Sequence, residues 1–166
     1  KSTFLRTVGV NLVLAMNGGP VCATKFIFKP IEIYSSMRTN DSLAHSESYF
    51  FAEISKLKSV LDQLKKEKEV FVLLDEILKG TNSTDQQQGS IAFLNQLKKF
   101  KGAGLIATHD LSLGKLAEEF PDHFQNKCFE VSVKEDKLIF DYKLVDGIAQ
   151  NLNASFLMKQ MGIMLA

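Results

Sequence analysis

The sequence predicts an α/β fold in which helices cover a mostly parallel central sheet. Two short segments, residues 69–75 and 103–108, are rich in apolar side chains, as in strands that are buried on both faces of a parallel sheet. Between them, residues 86–100 carry apolar side chains at the spacing of a helix. Because a strand, a helix and a strand in this order are typical of a crossover connection, the two strands are expected to be parallel.

The remaining elements are predicted from patterns of the same kind. Four more helices are expected, and the first two show apolar residues at the spacing of one helix face. These predicted helices cover residues 2–16, 48–66, 112–120 and 153–161. Residues 21–37 are rich in β-branched and aromatic side chains, which predicts two short strands interrupted at Pro30. Residues 127–133 and 137–145 predict a hairpin that turns at residues 135–136.

Length and composition limit the class of protein. With 166 residues, the chain has room for a single domain covering residues 1–166. The formal net charge of +1 provides no general positive field for nucleic acid, so any DNA contact must be local or lie outside this chain. No apolar run approaches the roughly 20 residues of a membrane span. Few cysteines and no secretory leader indicate a cytoplasmic setting, with Cys22 and Cys128 expected in the core.

Two predicted strands end in residues that can carry chemistry. Asp75 and Glu76 follow the first strand, and His109 follows the second. Open α/β sheets bind ligands at the carboxyl ends of their strands, where an aspartate can hold Mg²⁺ and a glutamate can orient or deprotonate water. A histidine there can donate to a terminal phosphate. Each residue alone also fits a structural role, as a loop start or a partly buried histidine.

The first residues, Lys1-Ser2-Thr3, precede a predicted helix. A glycine-rich loop that ends in Gly-Lys-Ser or Gly-Lys-Thr binds phosphates with its backbone N–H groups and the amino end of the following helix. The lysine reaches the β and γ phosphates, and the next hydroxyl binds Mg²⁺. Three residues alone are weak evidence for this motif. The order of features along the chain is more specific, because a helix follows these residues, then a strand that ends in Asp-Glu, and then a strand that ends in His.

In that order the motifs resemble the carboxyl-terminal ATPase domain of the MutS family of DNA mismatch repair proteins. Residues 1–6 are similar to the end of the Walker A motif and its helix, and residues 75–81 to the Walker B motif and the turn after it. Residues 107–109 match the Ala-Thr-His motif, and residues 142–149 followed by 153–155 resemble the closing hairpin and helix. The resemblance implies a three-layer P-loop NTPase domain of the ABC ATPase type, without the amino-terminal strand of the phosphate loop.

The resemblance also implies a function, ATP binding and hydrolysis that couple dimerisation to DNA binding. The implied partners are a second copy, joined through the ATP sites, and DNA, bound by domains outside this chain. Residues 81–85 would form a loop that meets the second subunit. The implied roles are phosphate binding by Lys1, Ser2 and Thr3, Mg²⁺ binding by Ser2 and Asp75, general base catalysis by Glu76, γ-phosphate sensing by His109, and contact with the partner's γ-phosphate by Ser48.

Departures from the family pattern predict a divergent branch. Ser46-Glu47 stands where Gly-Arg is usual, and Asn82 stands where Ser or Thr is usual. Two alternatives stay open: another ABC-type head of a DNA-maintenance ATPase, which the lack of glycine in residues 41–50 disfavours, and a catalytically silent dimerisation fragment. Because the glycines of the phosphate loop would precede Lys1, this chain alone is expected to bind ATP weakly and to expose a sheet edge.

Overall fold

A computed structural model of the chain describes residues 1–37, 46–134, 137–149, 158 and 160–164. The chain divides into two compact units, Lys1–Leu113 and Gly114–Ala166. The helices are α1 (Ser2–Met16), α2 (Ser46–Leu64), α3 (Ser83–Lys99) and α4 (Lys115–Glu119), with a turn of 3₁₀ helix at Leu111–Gly114. The strands are β1 (Glu32–Ser36), β2 (Val70–Asp75), β3 (Ala103–Ala107), β4 (Lys127–Lys134) and β5 (Lys137–Asp146).

The first unit contains a parallel sheet in the order β1-β2-β3, which confirms the predicted α/β class and the parallel pairing. β2 lies between two described neighbours, and α1 and α2 also contact it, so four of its six residues are buried. Ser36 pairs with Leu74, and Asp75 pairs with Ala107. Because all three strands run in one direction, their carboxyl ends lie at the same edge of the sheet.

Helix α1 packs on the sheet through a small apolar cluster. Leu5 of α1, Leu73 of β2 and Ala107 of β3 are buried together. Gly9 lets the helix approach closely, because a Cβ atom at this position would lie 2.8 Å from Cδ1 of Leu73. This packing holds the amino end of α1, and with it Lys1, near the carboxyl ends of the strands.

The prediction that residues 103–108 form a strand buried on both faces was wrong in one respect. Ala103 and Gly104 are exposed, and burial increases only toward Ala107. Among the described strands β3 pairs with β2 alone, so one of its edges carries no described strand. Gly104 permits a close approach to β2, since a Cβ atom there would lie 2.3 Å from the carbonyl oxygen of Val72.

Residues 21–37 contain one strand and not two. Only β1 is extended and paired, and residues 21–31 have no strand. Pro30 lacks an N–H group to donate to a neighbouring strand, and Ile27 before it is exposed to solvent. Cys22 is also exposed in this segment, contrary to expectation, whereas Cys128 is buried as expected.

The helices differ from the predictions mainly at their ends. α3 begins three residues early, at Ser83, because the side chain of Asn82 accepts a hydrogen bond of 2.9 Å from the N–H of Asp85 and caps the helix. The predicted helix over 112–120 is divided into the 3₁₀ turn and α4. The predicted helix over 153–161 lies almost wholly outside the described residues. Among the described residues, no helix is both long and apolar enough to cross a membrane.

The second unit contains the predicted hairpin. β4 and β5 pair antiparallel, with Lys134 opposite Lys137. The register shifts near the middle of the hairpin, where Phe129 pairs with Leu144 but Val131 pairs with Phe140. β5 therefore bulges, and Tyr142 adopts a left-handed conformation with φ of 57° at the bulge.

Candidate functional site at the carboxyl edge of the sheet

The strand-end residues singled out in the sequence meet in the structure. Nζ of Lys1 donates a hydrogen bond of 2.7 Å to the carbonyl oxygen of Thr108, directly after β3. Nε2 of His109 lies 2.8 Å from Oε1 of Glu76, directly after β2. Asp75 is the last residue of β2 and is partly buried. A lysine, two acids and a histidine from three separate segments thus share one edge of the sheet.

The backbone of Glu76 continues the sheet and then turns sharply away from it. Its N–H donates to the carbonyl oxygen of Ala107 at 2.9 Å. Its φ is 54° and that of Leu78 is 60°, both in the left-handed region. For residues with a side chain this conformation costs about 1–2 kcal/mol each. Such strain persists only where surrounding contacts impose it, and it often accompanies functional turns.

Two helices supply those contacts. Oε1 of Glu53, in α2, accepts a hydrogen bond of 2.8 Å from the N–H of Leu78. Nε2 of Gln86, in α3, donates to the carbonyl oxygen of Ile77 at 2.9 Å. Residues 76–80 form a turn that we name the Glu76 turn. It is held by hydrogen bonds to the end of β3, to α2 and to α3.

The carboxylate of Glu76 has two cationic or potentially cationic neighbours. It forms an ion pair with Lys79 from the same turn, and its other oxygen contacts His109. Glu76 is partly buried, so these contacts orient its carboxylate more firmly than surface pairs would. A carboxylate held in this way can position a water molecule and accept a proton from it.

Charges of both signs surround His109, with Lys1 and Lys79 on the positive side and Asp75 and Glu76 on the negative side. Lys1 lowers the pKa of the imidazole most, followed by partial burial and by Lys79, while Asp75 acts in the opposite direction. The side chain is 78% exposed, which does not fit the alternative of a partly buried structural histidine. With a lowered pKa the ring is neutral at pH 7, and a proton on Nε2 lets it donate to Glu76.

Replacing Lys1 with glutamine is expected to raise the pKa of His109, because the largest cause of its lowering disappears. Lys79→Gln is expected to raise the pKa by less. An NMR titration of the His109 ring protons measures both shifts. Lys56→Gln, on the exposed surface of α2, is the control and should leave the titration unchanged. A larger shift from Lys79→Gln than from Lys1→Gln would contradict this charge arrangement.

The residues predicted to hold Mg²⁺, Ser2 and Asp75, carry oxygen atoms of the kind that this ion binds. Within the described residues, no group of three or more His, Cys, Asp or Glu side chains could hold a metal ion alone. Mg²⁺ in nucleotide sites typically takes few protein ligands and completes its shell with phosphate oxygens and water. Asp75 and the hydroxyl of Ser2 would be such ligands. α1 begins at Ser2 with no side-chain cap hydrogen bond and no acidic residue in its first turn, which favours an anion there.

Two other predicted contacts are only partly described. Thr3 is exposed in the first turn of α1, and its carbonyl oxygen accepts a hydrogen bond from the hydroxyl of Thr7. α2 begins at Ser46, so the backbone of Ser48 lies within the first turn and not at the cap position. The side chain of Ser48 lies outside the described residues, and its contact with a partner stays a prediction.

Sequence reasoning missed Glu53, Lys79 and Gln86. Among its described side chains, α2 buries Glu53, Leu57, Val60 and Leu64. The spacing of apolar residues in the sequence, at Phe50, Ile54, Leu57, Leu61 and Leu64, predicts a buried face without Glu53. The signal for Glu53 was available, because this glutamate stands four residues before Leu57 on the same helix face. Lys79 and Gln86 left no such signal, since charged and amide side chains near a turn are common.

Comparisons with known proteins identify the family of the chain. The family model described as MutS domain V matches residues 1–162. The chain is 36% identical over 150 residues to the DNA mismatch repair protein MutS of Thermotoga petrophila and to that of Thermotoga maritima, covering 90% of this chain and 18% of each relative. It is 30% identical to the MutS protein of Pseudothermotoga lettingae. The chain thus spans about a fifth of the length of these relatives, and it belongs to the MutS family.

Proposed function

We propose that the chain binds and hydrolyses ATP as the ATPase domain, of the P-loop type, of a longer DNA mismatch repair protein. The observation that carries the proposal is the meeting of Lys1, Glu76 and His109 at one edge of a parallel sheet. Phosphate groups need cations and N–H donors, and hydrolysis needs a base beside them. Lys1 and the first turn of α1 supply the former, and Glu76 supplies the latter.

Each remaining residue has a role in this proposal. Asp75 and Ser2 hold Mg²⁺, which neutralises charge on the phosphates when it is bound. Thr3 contributes its N–H to the phosphate site, as the first turn of a helix does. Glu76 orients and deprotonates the attacking water, and the neutral His109 donates from Nε2 to the terminal phosphate when a nucleotide is bound, in place of its contact with Glu76.

Assembly with a second copy and contact with DNA belong to the longer protein. We propose a homodimer in which Ser48 of each subunit completes the ATP site of its partner. Parts outside this chain bind DNA, because the net charge of +1 provides no general attraction here. The relatives are DNA mismatch repair proteins, and Ser46-Glu47 and Asn82 support a divergent branch among them. Membership of the MutS family disfavours a chromosome-maintenance head.

The test is Mg²⁺-dependent ATP binding and phosphate release by the full-length protein that carries this chain. We expect Mg²⁺ to strengthen ATP binding in the parent protein, and Asp75→Asn to weaken that binding by about tenfold or more, because a charge-assisted contact is lost. Isothermal titration calorimetry with and without Mg²⁺ measures both effects. Asp122→Asn, at an exposed position, is the control.

Two results would contradict the proposal. A parent protein that neither binds nor hydrolyses ATP would favour the silent dimerisation module. Unchanged Mg²⁺ dependence in Asp75→Asn would remove this residue from the metal site.

A further inference from the structure

Glu53 is a buried acid in an otherwise apolar helix face. It is 6% exposed and shares the buried side of α2 with Leu57, Val60 and Leu64. Burying a carboxylate is costly unless hydrogen bonds replace the water that it loses. One such bond comes from a part of the chain 25 residues away, the N–H of Leu78 in the Glu76 turn. The carboxylate therefore joins α2 to the turn that carries the proposed catalytic base.

A second contact joins the same two segments. Gly80 ends the Glu76 turn and lies directly against Phe50 in the first part of α2. A Cβ atom at Gly80 would lie 2.9 Å from both Cβ and Cδ2 of Phe50. Only glycine fits here without displacing the phenylalanine. The beginning of α2 and the Glu76 turn are thus in contact at two points, three residues apart on the helix and two on the turn.

The conformation of the turn explains why the Glu53 contact affects the position of Glu76. Leu78 is left-handed, and its N–H points to Glu53, while Glu76 two residues earlier is also left-handed. The backbone between them has little freedom, because Gln86 holds the carbonyl oxygen of Ile77. Releasing the N–H of Leu78 would let the turn relax toward ordinary dihedral angles and would rotate the carboxylate of Glu76.

We propose that Glu53 is a positioning residue that ties the Glu76 turn to the beginning of α2 within one subunit. The inference rests on the proposed ATPase function and the proposed dimer. α2 begins with the segment that carries Ser48, which would act on the partner's nucleotide, whereas Glu76 would act on the subunit's own. Glu53 therefore makes the catalytic base of one site and the donated serine of the other move together.

The first test compares Glu53→Ala with Glu53→Gln in the full-length protein. Loss of a hydrogen bond to a charged group should lower kcat for ATP hydrolysis on the order of tenfold in Glu53→Ala. The KM for ATP should change little, because Glu53 acts through the backbone of the Glu76 turn and not as one of the proposed phosphate ligands Lys1, Ser2 and Thr3. Glu53→Gln retains an oxygen that accepts from Leu78 and should restore most of kcat.

The matched control is Leu57→Ala, the next residue on the same face of α2 and also 6% exposed. It removes buried apolar volume but no hydrogen bond to the Glu76 turn, so it should lower the unfolding temperature and leave kcat nearly unchanged at a temperature where the protein is folded. Equal losses of kcat in Leu57→Ala and Glu53→Ala would overturn the positioning role, because general destabilisation would then explain both.

The second test uses mixed dimers in which one subunit carries Glu76→Gln, so that a single site hydrolyses ATP. Glu53→Ala is placed either in the subunit with the intact Glu76 or in its partner, which supplies Ser48 to that site. We expect a lower kcat in both arrangements. A loss only in the first arrangement would overturn the coupling between sites, and no loss in either would overturn the whole inference. If the parent protein lacked ATP hydrolysis altogether, the proposed function would fail instead.

Discussion

A Glu76→Gln substitution is expected to lower the rate of ATP hydrolysis by about 10²- to 10⁴-fold, the usual contribution of a general base, while ATP still binds. Glutamine has nearly the same shape as glutamate and can still accept a hydrogen bond from His109. It cannot take a proton from water, because its amide is not basic. It also loses the ion pair with Lys79, which orients the carboxylate in this structure.

The measurement is single-turnover phosphate release together with nucleotide binding in the full-length protein. Glu118→Gln removes an exposed carboxylate on α4 and is the matched control for loss of one negative charge. Unchanged turnover in Glu76→Gln would exclude Glu76 as the base. Loss of ATP binding together with loss of turnover would show instead that the contacts of Glu76 with Lys79 and His109 serve to build the phosphate site.

Leu73→Ala is expected to lower the free energy of unfolding by about 2–5 kcal/mol, as for other fully buried leucines. Leu73 is 1% exposed, in the middle strand of the sheet. Its side chain fills the space between β2 and α1, against Leu5 and Gly9. The truncation leaves a cavity that the sheet cannot close, because Leu73 lies in the middle strand, in register with Ser35 of β1 and Leu105 of β3.

Urea denaturation followed by circular dichroism measures this change. Leu111→Ala is the control of the same residue type, because Leu111 is 62% exposed, and its effect should stay within about 0.5 kcal/mol. Since the same cluster holds the amino end of α1, Leu73→Ala should also weaken ATP binding through Lys1. Equal destabilisation by the two substitutions would show that α1 does not pack on the sheet as described.

Local patterns in the sequence were enough to locate the strand ends that carry Asp75, Glu76 and His109 and the helices between those strands. These features depend on local patterns. A run of apolar residues indicates a buried strand, and the first polar residue after it marks the strand end wherever the rest of the chain lies. Parallel pairing then requires that neighbouring strand ends share one edge, so the meeting of Glu76 and His109 was predictable.

The side chains and backbone groups that these residues contact depend on the tertiary structure. Glu53 and Leu78 are 25 residues apart, and Lys1 and Thr108 are 107 apart. Such contacts depend on the rotation of each helix about its axis. In α2 the predicted positions Leu57 and Leu64 are buried, but Glu53 is buried beside them and Ile54 is 41% exposed, although hydrophobic periodicity favours the reverse at these two positions. Hydrophobic periodicity gives the spacing of apolar residues along a helix. Packing against β2 and the Glu76 turn decides which face of the helix is buried.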